Sequence, residues 1–114
     1  MDTTELILLY DYYGALLTER QRECFELRYN QDLSLGEIGQ ELGISRQGVY
    51  DNLSRTEQQL KNMEAKTGCV RRDLQCRKAI DSVYEAAVAL AANEDRQVKL
   101  LANRILDAVS DLKE

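Results

Sequence analysis

The stretch that decides the fold runs from Ser34 to Leu53: SLGEIGQELGISRQGVYDNL. Ser34-Leu35-Gly36-Glu37 has the form of a capping box, in which a serine oxygen takes an orphan helix amide and a glutamate reaches back. Leu35, Ile38 and Leu42 then fall on one face of a helix little more than two turns long. Gly43 follows at the position where a helix end wants positive φ, and Ser45 offers a new N-cap. Two helices crossing steeply also need a small residue where their axes approach, and Gly39 fits. Ile38, Leu42, Ile44 and Val49 are the expected shared core. This is the anatomy of a helix-turn-helix. It leaves the second helix an outward face of Arg46, Gln47, Tyr50, Asp51 and Ser54.

Working outward, helical signals continue in both directions. Asp2-Thr3-Thr4-Glu5 caps a first helix over about residues 3–16, with Leu6, Leu9, Tyr13 and Leu16 on its buried face. Thr18–Gln21 is another capping box and opens a helix to about Tyr29. Cys24 is expected in its core as a small apolar group. The helix that starts after Ser45 carries Val49, Leu53 and Leu60 inward to about Ala65, where Thr67-Gly68 kinks or ends it. From Val70 the pattern resumes through Leu74, Ile80, Val83, Tyr84, Ala87, Val88 and Ala91. Asn93-Glu94-Asp95 caps a last helix, in which Val98, Leu101, Ile105, Ala108 and Leu112 keep near-heptad spacing. The expected fold is all-α, with five or six helices. A helix-turn-helix domain spans 1–65, and a helical extension spans 66–114.

Composition agrees. The chain has 114 residues, no Pro, no His and no Trp, with 6 Gly. Absence of His removes the commonest metal ligand and neutral-pH base. Cys24, Cys69 and Cys76 form neither a CxxC pair nor an even disulfide set. Carboxylate pairs such as Glu94-Asp95 or Glu37 with Glu41 read as exposed helix faces. No catalytic, cofactor or metal site is expected, and no enzyme. The acidic start MDTTELILLYDYY is no signal peptide, and no run approaches a membrane span, so the expectation is a cytoplasmic protein without membrane insertion.

Net charge is −5, unevenly spread. Residues 1–65 hold 6 basic and 12 acidic side chains, whereas 66–114 hold 9 and 8. A free nucleic-acid binder usually carries a positive field. Residues 45–61 carry three cations (Arg46, Arg55, Lys61) against Asp51 and Glu57, a thin footprint. The densest positive run is Arg71-Arg72-Asp73-Leu74-Gln75-Cys76-Arg77-Lys78. Two candidate binding surfaces follow. The first is Ser45, Arg46, Gln47, Tyr50, Arg55 and Lys61, where Arg46 reads base or phosphate and Gln47 pairs with adenine. The second is Arg71, Arg72, Arg77 and Lys78, which suits RNA, DNA or an acidic partner, or is simply a solvated face. Tyr10, Tyr12 and Tyr13 read mainly as core residues with surface hydroxyls. The seam Val98, Leu101, Ile105 and Leu112 must be covered, by residues 70–91 or by a second subunit, and a homodimer is expected.

Leu16–Leu60 resembles region 4 of bacterial sigma-70-type factors, through LTERQRE, ELRY, the LSLGEI run, LGIS and the Val49–Leu53–Arg55 spacing. A closer resemblance covers nearly the whole chain. With DYYG (Asp11–Gly14), VYDN (Val49–Asn52) and Arg55-Thr56-Glu57, the sequence resembles the YlxM family of small helix-turn-helix proteins. That resemblance implies a regulatory or accessory role in the signal recognition particle pathway, with the targeting GTPase or the particle's RNA as partner. The alternatives are a sequence-specific transcription regulator on duplex DNA and a structural adaptor that binds no nucleic acid.

Overall fold

A computed structural model describes residues 2–113. Among them every regular element is helical: α1 (Thr3–Tyr13), a 3-10 turn (Gly14–Leu16), α2 (Glu19–Tyr29), α3 (Leu35–Leu42), α4 (Arg46–Thr67), α5 (Cys69–Ala91) and α6 (Arg96–Ser110). The chain divides into two compact units between Val70 and Arg71.

In the first unit, α1 starts where Asp2 Oδ1 accepts the Glu5 amide at 2.8 Å. Leu6, Leu9 and Tyr13 turn inward. The expected extension to Leu16 is corrected here. At Gly14 the winding tightens to 3-10, whose residues turn about 120° rather than 100°. That change of phase sends Leu17 into the core at 5% exposure and leaves Leu16 outside at 71%. Leu6, Leu9, Tyr13 and Leu17 pack with Phe25 of α2, Leu60 of α4 and Val70. Tyr10 stacks on Phe25, with ring centroids 4.1 Å apart.

Both predicted capping boxes form. Gln21 and Thr18 exchange bonds of 3.2 and 2.9 Å, and Glu37 and Ser34 do the same at 3.1 and 3.0 Å. α3 ends on Gly43, whose φ of 71° is left-handed, and Ser45 caps α4 through the Gly48 amide at 2.9 Å. Between them Cys24, Ile38 and Val49 are fully buried, ringed by Leu27, Leu33, Leu35, Leu42 and Leu53. Gly39 is where the helices nearly touch, since a Cβ there would lie 2.7 Å from the Ile44 carbonyl oxygen. Ile44 itself, expected in this core, sits at its rim and is exposed. Its backbone, not its side chain, occupies the close approach.

α4 runs past Ala65 to Thr67 and stops at Gly68, with φ 62°. The Glu64 carboxylate closes this end. Its Oε1 accepts the Tyr13 hydroxyl at 2.6 Å and the Val70 amide at 3.1 Å. The Tyr13 oxygen in turn accepts a hydrogen bond from the Thr67 hydroxyl. The helix is therefore broken at Gly68 rather than kinked.

In the second unit, Asn93 and Asp95 form the turn. Asp95 Oδ1 accepts the Gln97 and Val98 amides at 2.8 and 3.2 Å, and α6 returns antiparallel to α5. Lys113 reaches Asp81 at 2.9 Å and lies over the Tyr84 ring. Only Ala87 and Ala102 are fully enclosed among the apolar residues of this hairpin.

Candidate nucleic-acid interface

The first candidate surface is built on the start of α4. Capping by Ser45 and the tight turn at Gly43 lift Arg46, Gln47 and Tyr50 outward, and all three are exposed. With Leu35 of α3 they line a shallow cavity of about 440 Å³. The lining is mostly apolar, because Tyr50 is 55% exposed and Leu35 stands beside it.

The electrostatics of this surface are restrained. Gln47 Nε2 donates to Asp51 Oδ1 at 3.0 Å, so the carboxamide must release Asp51 before it can pair with a base. The nearby N-terminus of α3 is also engaged. The backbone and hydroxyl of Ser34 hold the Glu37 carboxyl below the usual carboxylate range, which keeps an anion where a phosphate would otherwise approach. Ser45 spends its hydroxyl on the α4 cap.

The predicted set is not brought together as a whole. Arg46, Gln47 and Tyr50 converge. Arg55 lies nine residues beyond Arg46, about half a turn round the helix at 100° per residue. There it joins Thr18, Gln21, Asn52 and Gln59 around a separate depression of about 290 Å³. Lys61 is some 22 Å further along α4 than Arg46 and is paired with Glu57 at 3.1 Å. Leu35 was missed in the sequence because its α3 spacing marks it only as core.

The second candidate surface occupies the first turns of α5. Arg71, Arg72, Arg77 and Lys78 are all exposed. Arg77 pairs with Asp73 at 3.1 Å across one turn, and such exposed pairs are weak. The Cys69 and Val70 amides are already bonded to Thr67 and Glu64, so the helix start offers no open amide at these two positions.

The predicted seam on α6 splits. Val98 is half-buried with Ala102, Leu106 and Val109, whereas Leu101, Ile105 and Leu112 are exposed. For Leu101 and Ile105 the cause is angular, since they lie on a stripe of α6 next to the one that α5 covers, whereas Leu112 lies past the end of α6, beside Arg77, Ile80 and Asp81. Cys24 is buried, and Cys69 and Cys76 are exposed thiols outside any disulfide. No helix among the described residues is long and apolar enough to cross a membrane.

Comparison with known proteins places this geometry. The model of the UPF0122 family, helix-turn-helix proteins of YlxM/p13 type, matches residues 1–101. UPF0122 protein Teth514_1714 of Thermoanaerobacter sp. strain X514 is 42% identical over 108 residues, covering 94% of this chain and 92% of that protein. UPF0122 protein TTE1463 of Caldanaerobacter subterraneus subsp. tengcongensis is 52% identical over 80 residues, covering 70% and 68%. A UPF0122 protein of Desulforamulus reducens is 43% identical over 111 residues, covering 92% and 93%. This is a helix-turn-helix family, and the chain belongs to it.

Proposed function

We propose that the protein is a cytoplasmic accessory factor that binds structured RNA through the basic start of α5, and that this RNA belongs to the signal recognition particle pathway suggested by the family resemblance. The observation that carries this reading is the exposed cluster Arg71, Arg72, Arg77 and Lys78 in a chain whose net charge is −5. A local patch of four cations offers phosphates a landing site that the acidic helix-turn-helix unit does not. RNA helices are bound mostly through shape and phosphates, a task for clustered arginines rather than for one groove-reading helix. The targeting GTPase is the protein partner this reading allows.

The second reading is a transcription regulator. The outward convergence of Arg46, Gln47 and Tyr50 favours it, because those positions enter the major groove when a helix-turn-helix reads duplex DNA. Against it stand Asp51 on the same face and Glu37 at the α3 end.

Salt-dependent binding separates the two. Affinity for the particle's RNA and for genomic duplex fragments is measured as salt is raised, for the native protein, for Arg71→Ala/Arg72→Ala/Arg77→Ala and for Arg46→Ala/Gln47→Ala. The RNA reading expects the first variant to lose about 0.7–0.9 of salt slope for each phosphate contact removed, with the second variant little changed. A specific duplex whose binding is lost with Arg46 and Gln47 overturns it in favour of the regulator. No shift with either nucleic acid at low salt leaves the protein-binding adaptor.

A further inference from the structure

Residues 1–65 carry six cations: Arg20, Arg22, Arg28, Arg46, Arg55 and Lys61. Four of them are occupied. Arg20, Arg22 and Arg28 donate to the carbonyl oxygens of Leu42, Leu17 and Leu33, and Lys61 pairs with Glu57. Among the described residues, Arg46 and Arg55 have no hydrogen-bond or ion-pair partner. Their surroundings differ. Arg46 stands beside Leu35 and Tyr50. Arg55 stands at a depression whose other lining residues, Thr18, Gln21, Asn52 and Gln59, are all polar and uncharged.

One backbone N–H orients the amides of this depression. The Thr18 amide donates to Gln21 Oε1 at 2.9 Å, which makes Nε2 the other end of that buried carboxamide. Gln21 Nε2 donates to Gln59 Oε1, so the free end of Gln59 is its Nε2 donor. The Thr18 hydroxyl oxygen accepts the Gln21 amide at 3.2 Å, which leaves its proton to donate elsewhere. At Asn52 the oxygen is the enclosed atom, without a partner, and the half-buried side chain keeps Nδ2 outward. Each acceptor oxygen is thus spent or turned inward. What remains for a ligand is a guanidinium, two carboxamide NH2 groups and a hydroxyl. No Asp or Glu lines the depression, and Glu19, the nearest carboxylate in sequence, is not part of it. Thr18 is also the N-cap of α2, so the positive end of that helix dipole adjoins the donors.

We propose that this depression binds a phosphate oxyanion, either a phosphodiester of a nucleic-acid backbone or a free phosphate group. Its chemistry selects an anion: a metal ion finds no acceptor or negative charge there, and an apolar ligand strands every polar group it covers. The spread of the donors selects phosphate. Asn52, Arg55 and Gln59 follow one another on a single stripe of α4, about 10 Å from end to end, and Thr18 approaches from α2. Donors placed so reach a tetrahedral group from several sides, whereas a planar carboxylate presents two oxygens. Arginine adds a bidentate fork and a fixed charge suited to phosphate. Gln21, 7% exposed, positions Thr18 and Gln59 rather than meeting the ligand. The site lies wholly in the first unit and does not rest on the basic start of α5.

The test follows the side-chain N–H resonances of Asn52, Arg55 and Gln59 in the full chain by heteronuclear NMR. The probes are inorganic phosphate, with chloride at equal ionic strength as the control, and short RNA and DNA duplexes of unrelated sequence. Saturable shifts of these resonances with phosphate or with a duplex, and none with chloride, are expected. Arg55→Ala should weaken that binding about tenfold, the loss of one hydrogen bond to a charged group, with the unfolding midpoint kept because the side chain is exposed. Asn52→Asp, which sets a carboxylate among the donors, should weaken it as well. Arg46→Ala and Arg71→Ala/Arg72→Ala/Arg77→Ala should leave these shifts unchanged, so the α5 reading can fail while this site stands. A duplex that displaces phosphate, with a salt slope lowered by about one contact in Arg55→Ala, identifies the backbone as the source. Phosphate binding with which no duplex competes identifies a free phosphate group. Resonances that no probe moves, shifts that chloride reproduces, or shifts that survive both Arg55→Ala and Asn52→Asp overturn the proposal.

Discussion

Thr56 is fully buried on α4, and its hydroxyl oxygen has no hydrogen-bond partner. A buried hydroxyl without a partner carries its full desolvation cost, about 1–3 kcal/mol. Thr56→Val keeps the shape and removes that cost, so it is expected to leave the first unit equally or more stable by denaturant unfolding. Two glycines separate steric from conformational causes. Gly39→Ala drives a methyl to 2.7 Å from the Ile44 carbonyl oxygen, and overpacking of this kind costs about 1–3 kcal/mol. Gly43→Ala meets no atom within 4 Å, so only the left-handed φ resists it, at about 1 kcal/mol. The ordering of the two midpoints checks both. Tyr10 gives a pH handle. Burial and the Glu26 carboxylate, which accepts its hydroxyl, push its pKa from 10.0 up to about 12. The raised value means its contribution to stability is whole below pH 10 and is lost as pH rises toward 12. Tyrosinate absorbance should therefore show Tyr10 titrating late together with Tyr13 and Tyr29, whose hydroxyls burial also pushes up, and Glu26→Gln should shift only the Tyr10 part of that late absorbance toward 10.

At the scale of elements, the junction of α4 and α5 hangs on one carboxylate. Tyr13→Phe removes the hydroxyl that bonds Glu64 and Thr67. The loss of a hydrogen bond to a charged group costs about 1.5–3 kcal/mol. Faster amide exchange at Val70, whose N–H shares the same carboxylate, is the local signature to measure. Element boundaries were largely legible in the sequence, because each is written in local chemistry. Thr18/Gln21 and Ser34/Glu37 announce starts, and Gly43 and Gly68 announce stops. Leu16 was not legible. Its spacing suits a continuing α-helix, and only the Tyr10 ring packed beside Gly14 accompanies the tightening that puts Leu17 inside. The candidate site was legible in part for the same reason. Arg46, Gln47 and Tyr50 lie within one turn and stay together in space. Arg55 belongs to the same helix but to its other side, and Leu35 enters the surface only through the folding of α3 against α4.

For the whole molecule, the two units differ in what holds them. The first has two buried clusters, whereas the hairpin encloses little beyond Ala87 and Ala102. Local opening free energies follow burial, so amide exchange in α6 is expected to be faster than in α4 at low protein concentration. The heptad spacing of the second unit was visible in the sequence. Its division into an inner and an outer stripe was not, since Val98 and Leu101 look alike until α5 chooses between them.

The way this chain stops its helices has a kinetic consequence. Gly43 and Gly68 do with left-handed φ angles what other chains do with proline, and the sequence contains no proline at all. Unfolded molecules therefore hold no X–Pro bonds to equilibrate into the wrong isomer, and refolding should lack the phase of tens of seconds that such bonds impose. Refolding traces that are unchanged by a prolyl isomerase, and by the time spent unfolded, would display it. A protein assembled from short capped helices in this way regains its surface as fast as its contacts form.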